Sequence, residues 1–323
     1  MIKKFVFLIL LVSLLGNVYF MLFGSRPPHI VAQEQRQNFK TTYPFLSGRI
    51  LNNDQKNLLI NFVPLRERLE TYTAEQDFKV GLFFEYLPSG VSIGVNDSEV
   101  FVSASLLKVP LVMQVYKSIE NGTIKKTDIL EIRQQNIDKR FGDLWKRGIG
   151  AEITVEEAVQ YSLIKSDNTA KSLLFGAIPD GNIDPVFDSL DIPKEVESSH
   201  AVISAFHYSS ILRSLYLSSY LSPASSQEIL SLMTQSKYRD KLPAGVPEGV
   251  KVAHKIGVYE EDNDIDPSTP ENESIYSDCG IVYVPNRPYM LCIFAQTTED
   301  RAREYMKTVA KMTYTYVSGS EGM

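Results

Sequence analysis

Strand-forming sequence is confined to the two ends of this chain, with a long helical stretch between them, and that arrangement constrains the fold more than any other feature. Toward the N-terminal end, KVGLFFEYL and VSIGV flank the turn Pro88-Ser89-Gly90 and read as a hairpin. Toward the C-terminal end, residues 250–259, 277–284 and 289–296 read as strands. Between them, the apolar run LLKVPLVMQVYKSI (106–119) reads as a buried helix closed by Asn121-Gly122. Thr154 and Glu157 form a capping box that starts a helix reaching about Lys165, and helical patterns continue over 169–177, 203–218 and 225–236. Leu58, Leu59, Phe62, Leu65, Leu69 and Tyr72 recur near helical spacing, as do Ala302, Tyr305, Met306, Val309, Met312 and Tyr316 near the C-terminus. The expected body is α+β: one sheet built from both ends, flanked by helices, with an inserted all-helical lobe.

The first residues have a different character. Lys3 and Lys4 precede an uncharged apolar stretch over residues 5–23, long enough to cross a bilayer as a helix. It ends in Tyr19, Phe20, Met21, Leu22 and Phe23 rather than the small residues of a cleavage site, so an uncleaved signal-anchor is expected over 1–24. Residues 25–54 are polar and proline-containing and read as an extracytoplasmic linker. The domain is then expected over 55–323, outside the membrane. The net charge of −6, without a Lys/Arg cluster, argues against nucleic acid as a partner. His29, His200, His207 and His254 show no ligand spacing, so neither a metal nor an organic cofactor is expected.

Cys279 and Cys292 lie in strands either side of the turn VPNRP. If Val284 faces Tyr289, Ile281 faces Cys292 and the cysteines are diagonal, about 7–8 Å apart, longer than a disulfide accepts. Two half-buried free thiols are expected on that register; a shifted turn would make the cysteines direct partners.

Three short motifs carry the chemistry. In Ser105-Leu106-Leu107-Lys108, at the start of the buried helix, the spacing brings the lysine amine to the serine hydroxyl. Serine needs such a base to become a nucleophile, and burial beside another cation keeps a lysine neutral enough to act as one. Pro110 removes the helical bond to the Leu106 carbonyl. Ser162-Leu163-Ile164-Lys165 repeats the pattern, but Lys165 follows a polar helix and is expected to be solvated. The second motif, Ser166-Asp167-Asn168, lies at a break between helices, where a hydroxyl can relay a proton and an amide can orient a neighbour. The third, His254-Lys255-Ile256-Gly257, lies on a strand: Lys255 offers positive charge, and Gly257 leaves room for a ligand backbone. His254 has no acidic partner evident in the sequence and reads as a supporting residue.

The order Ser-x-x-Lys, Ser-Asp-Asn, Lys-x-Gly resembles that of class A β-lactamases and penicillin-binding proteins, from about Gln55 to the C-terminus. The resemblance implies a β-lactamase/transpeptidase-like fold and a serine hydrolase acting on β-lactams or D-Ala-D-Ala-type cell-wall peptides. It implies that Ser105 is acylated, Lys108 assists its deprotonation, and Ser166 passes the proton to the leaving nitrogen. Asn168 would hold the substrate amide, Lys255 would anchor it electrostatically, and the Ser105 and Val258 N–H groups would form the oxyanion hole. Two departures stand out. Ile256 replaces the usual hydroxyl residue, and the acids Asp180, Asp184, Asp188, Asp191, Glu195 and Glu197 show no Glu-x-x-x-Asn pattern. Acylation without fast turnover is the resulting expectation; the alternative is a non-catalytic relative that binds peptidoglycan or a partner protein.

Overall fold

The computed structural model describes residues 42–46, 60–260 and 274–319. The apolar stretch 5–23, and with it the expected anchor, lies outside the described residues, as does most of the expected linker. Among the described residues no helix is long and apolar enough to cross a membrane. The described residues from Phe45 onward form one compact unit.

A five-stranded antiparallel sheet joins the two ends of this unit, in the order β2-β1-β10-β9-β8. Its strands are β1 (Lys79–Tyr86), β2 (Val91–Val95), β8 (Val252–Tyr259), β9 (Ile275–Val282) and β10 (Tyr289–Gln296). On one face, Leu291, Ile293 and Ala295 pack with Leu65 and Leu69 of α1 (Val63–Ala74) and with Tyr305, Met306 and Val309 of α8 (Glu299–Ser318). Side chains alternate along a strand, so Met290, Cys292 and Phe294 face the other way. On that side α6 (Ala205–Leu217) crosses β1 and β10. The rest of the helical lobe comprises α2 (Lys108–Glu120), α3 (Val155–Ile164), α4 (Asn168–Ala177), α5 (Asp184–Ser189) and α7 (Pro223–Met233).

Helix ends follow local chemistry. Thr154 caps α3 by accepting from the Glu157 N–H at 3.1 Å. The return half of the expected box is diverted, because the Glu157 carboxylate binds Arg147 instead. Pro110 sits in the first turn of α2, where a missing N–H is tolerated, and the Tyr208 hydroxyl donates to the freed Leu106 carbonyl at 3.3 Å.

Three short pairings add to the expected elements. Strand β3 (Val100–Val102) pairs with β7 (His200–Ser204), which pairs in turn with β6 (Glu195–Glu197), and β4 (Ile129–Glu131) pairs with β5 (Glu152–Thr154). The β9–β10 register also departs from expectation. Val282, not Val284, faces Tyr289, so Cys279 and Cys292 are direct partners with Cα atoms 4.0 Å apart, and they form a disulfide. The connection is two residues longer on the β9 side than a turn beginning after Val284, and that shift converts a diagonal pair into a facing one.

Candidate active site

The 3-10 turn Ala104–Leu107 delivers Ser105 to the start of α2. Ser103 locks this turn to the edge of β7: its N–H and its hydroxyl both donate to the Ala201 carbonyl, at 2.9 and 2.8 Å. Ala104 is held at φ +46°, a left-handed conformation costly for a residue with a Cβ, directly before Ser105. The other side of the turn rests on β8. A Cβ on Gly257 would strike Ser277 Oγ and come within 3.3 Å of both Leu106 Cγ and the Ser103 carbonyl. In the structure, then, Gly257 makes room for the turn that carries Ser105, where the sequence suggested room for a ligand.

The first two motifs converge on one buried amine, and the third reaches it through the Ser166 hydroxyl. Lys108 Nζ lies 2.7 Å from Ser105 Oγ, 2.8 Å from the Ser166 carbonyl, 2.7 Å from Asn168 Oδ1 and 3.3 Å from Ser166 Oγ. The Ser166 carbonyl and Asn168 Oδ1 can only accept, so a neutral amine spends its two N–H groups on them and turns its lone pair toward Ser105. Burial, then the positive charges of Lys255 and Lys171, push the Lys108 amine well below its ordinary 10.5, against Asp167 and Asp138. The proton-accepting form is therefore the one this pocket favours.

Lys255 approaches the same hydroxyl from β8. Its amine donates to Ser166 Oγ at 2.7 Å and to the Ile256 carbonyl at 3.0 Å. Burial pulls it down to about 7, with Asp278 opposing. Ser166 itself stands at φ +53°, so the residue contacted by both lysines is also strained.

The second motif is braced from behind. Asp167, fully buried, accepts from Ala170 N–H with one oxygen and from Leu144 N–H with the other, both at 2.8 Å. Gly142, at φ +86°, passes so close to this carboxylate that a Cβ there would collide with it. The Asn168 side chain is held at both ends, by Lys108 and by a hydrogen bond to Asp138. Burial alone would raise Asp138, but hydrogen bonds from Arg140 and Asn168 outweigh it and hold the carboxyl at about 2. Lys165 of the rival Ser-x-x-Lys lies elsewhere. It is paired with Asp143 at 2.9 Å and lies 4.0 Å from the Tyr161 ring centroid, so it is engaged rather than simply solvated.

Strand β8 is the sheet edge. The close Cys279–Cys292 pair marks a position without mutual hydrogen bonds on the β10 side, so Cys279 turns its backbone groups to β8, opposite Lys255. By alternation, His254, Ile256 and Val258 turn theirs outward. The Val258 N–H thus leaves the free edge, and the leading N–H groups of the turn at Ser105 have no partner within that turn. Ile256 is buried and supplies no hydroxyl. His254 has the acidic partner that the sequence did not reveal: its Nδ1 lies 2.8 Å from Asp278 Oδ1, both side chains being fully buried. Asp278 Oδ2 accepts from the Leu242 N–H at 3.1 Å. Asp278 comes from the neighbouring strand, 24 residues away in sequence, which is why spacing gave no sign of it. Among the described residues no cluster of acids, histidines or cysteines is arranged to hold a metal ion.

Residues 64–317 match the profile of the beta-lactamase enzyme family. The chain is 21% identical to the beta-lactamase VEB-1 of Pseudomonas aeruginosa over 274 residues, 77% of this chain and 89% of that one. Among solved structures, PBP-A superposes with a TM-score of 0.69 at 23% identity, covering 78% of this chain and 95% of the other. A mutant of PBP-A, solved as its acyl-enzyme complex with penicillin-G, gives 0.68 at 22% identity over the same shares. At these identities the superpositions establish a common fold.

Proposed function

The chain belongs to the beta-lactamase enzyme family and is a serine hydrolase of the β-lactam type, and on that premise we propose that Ser105 is its nucleophile and Lys108 the base that activates it. The observation that carries this reading is the Lys108 amine, buried 2.7 Å from Ser105 Oγ with both of its N–H groups spoken for. Ser105 Oγ attacks the substrate carbonyl as its proton passes to Lys108. The oxyanion is received by the N–H groups of Ser105 and Val258. Ser166, which accepts from Lys255 and lies 3.3 Å from Lys108, relays the proton to the departing nitrogen. Asn168 orients Lys108, and its amide retains an N–H for a substrate carbonyl. An anionic substrate carboxylate near Lys255 favours the charged form of that amine, so binding and protonation are coupled.

β-Lactams and acyl-D-Ala-D-Ala peptides share the required groups: an amide carbonyl to attack and a carboxylate beyond the leaving nitrogen. That the PBP-A mutant was solved as a penicillin-G acyl-enzyme supports the β-lactam reading for this chain. Ile256 removes one hydrogen-bond donor for the carboxylate and leaves Lys255 to hold it. An extracytoplasmic location, implied by the apolar stretch at residues 5–23, would place the enzyme where both substrates occur. Offering penicillin G and an acyl-D-Ala-D-Ala peptide to the same preparation tests the substrate class. Drug acylation with release of D-alanine would point to a cell-wall peptidase; drug consumption alone would point to a β-lactamase. Inertness toward both would refute the reading.

A further inference from the structure

An acyl-enzyme on Ser105 needs a second base to activate water. The acidic loop pattern that resemblance would supply is absent, and the stretch from Asp180 to Glu197 runs through α5 into the hairpin β6–β7. That hairpin turns on Ser198-Ser199, both in left-handed conformation at φ +46° and +66°, a tight two-residue turn that fixes the strand following it. His200 is the first residue of that strand. Val102 pairs with Val202, and the Ser103 N–H donates to the Ala201 carbonyl, so His200 directly precedes the residue that holds Ser103, two positions before Ser105.

The imidazole is oriented on two sides. Its Nδ1 lies 2.8 Å from the Ser198 carbonyl, and its ring meets the Tyr259 ring edge-on at 4.9 Å. A carbonyl only accepts, so Nδ1 carries the hydrogen and the lone pair of the neutral ring sits on Nε2. Tyr259 directly follows Val258 on β8, on the side of the oxyanion position away from Lys255. The His200 ring therefore meets β8 one position after Val258, whereas Lys255, which contacts Ser166, lies three positions before it. It is also exposed, and so open to water. The charged or titratable groups facing it are Glu197, its partner across the hairpin, and Tyr259.

We propose that His200 is a catalytic residue of this enzyme, the base that activates water to hydrolyse the Ser105 acyl-enzyme. The proposal rests on Ser105 being acylated. Water attacks the acyl carbonyl carbon as Nε2 takes one of its protons. The new C–O bond forms and the bond from that carbon to Ser105 Oγ breaks. Oγ leaves with a proton passed through Lys108 from Ser166 and solvent, and the imidazolium returns its own proton to solvent.

The test is the lifetime of the penicillin G adduct, followed by intact mass in wild type, His200→Gln, His200→Ala and Glu197→Gln. Gln can keep a hydrogen bond to the Ser198 carbonyl but offers no base. Both His200 variants are expected to acylate at the wild-type rate and to lose the adduct about 100-fold more slowly, the scale of general-base catalysis. Added imidazole should shorten the lifetime in His200→Ala, and the pH dependence of adduct loss seen in wild type should vanish in His200→Gln. Equal lifetimes in wild type and His200→Gln would overturn the proposal while leaving Ser105 acylation intact. A long-lived adduct in Glu197→Gln alone would overturn it in favour of that acid. No adduct and no drug consumption in any of the four proteins would overturn both this inference and the reading it rests on.

Discussion

Lys108 and Lys255, both buried, reach the same hydroxyl, that of Ser166, at 3.3 and 2.7 Å. Two ammonium groups that close in a desolvated pocket repel strongly, so the arrangement favours at most one charge. On the proposed mechanism the neutral lysine serves as the base and the charged one meets an anion.

The first consequence concerns the base. Lys108→Arg keeps a cation in place but cannot give up its proton at neutral pH. Acylation by penicillin G, followed by stopped-flow or quench, should fall about 10²- to 10⁴-fold, the usual worth of a positioned base. Near wild-type acylation in this variant would remove Lys108 from the role.

Lys255 makes a stability prediction with a definite sign. Its amine drops from 10.5 in the unfolded chain to about 7 in the folded one. Between those values the unfolded chain binds a proton that the native state does not, so stability rises with pH across that window and levels off below it. Denaturant unfolding of wild type measured against Lys255→Met should show that rise in the difference. A difference that does not change with pH would contradict the burial argument.

Gly257→Ala would push a methyl group into Ser277 Oγ and against the turn that holds Ser105. Overpacking of this kind costs about 1–3 kcal/mol. Ser277 is buried, with no hydrogen-bond partner for its hydroxyl. Ser277→Gly should therefore be well tolerated and should recover part of the loss in the double variant. Simple additivity of the two changes would argue against the contact.

The disulfide makes a prediction about the sheet. Replacing Cys279 and Cys292 together by Ala should cost about 2–3 kcal/mol in urea unfolding, given a closed loop of this size. Native protein should resist mild reductant, because both cysteines are fully buried.

The sequence displayed the central sheet and the longer helices because each is a run of strong pattern: residues 289–295 form one unbroken apolar run, and α8 carries its core residues on one face. The three motifs were visible because each is contiguous. What escaped was set by register and by long-range contact. The Cys279–Cys292 pairing depended on a two-residue shift in a connection, which no local pattern encodes. Asp278 reaches His254 only across a strand pair. Gly257 owes its place to the Ser103–Leu106 turn, 151 residues earlier by comparison with Leu106, a neighbour that only the fold supplies. The β6–β7 hairpin was hidden because Glu195–Glu197 is short, polar and exposed and resembles a loop.

The most direct test is intact-mass spectrometry of the domain mixed with penicillin G, beside Ser105→Ala. Wild type should gain the mass of one drug molecule, in an adduct that persists long enough to be recorded, and the variant should gain none. An adduct of equal yield in Ser105→Ala, or a wild type that neither binds nor consumes the drug, would contradict the assignment of Ser105 as the nucleophile.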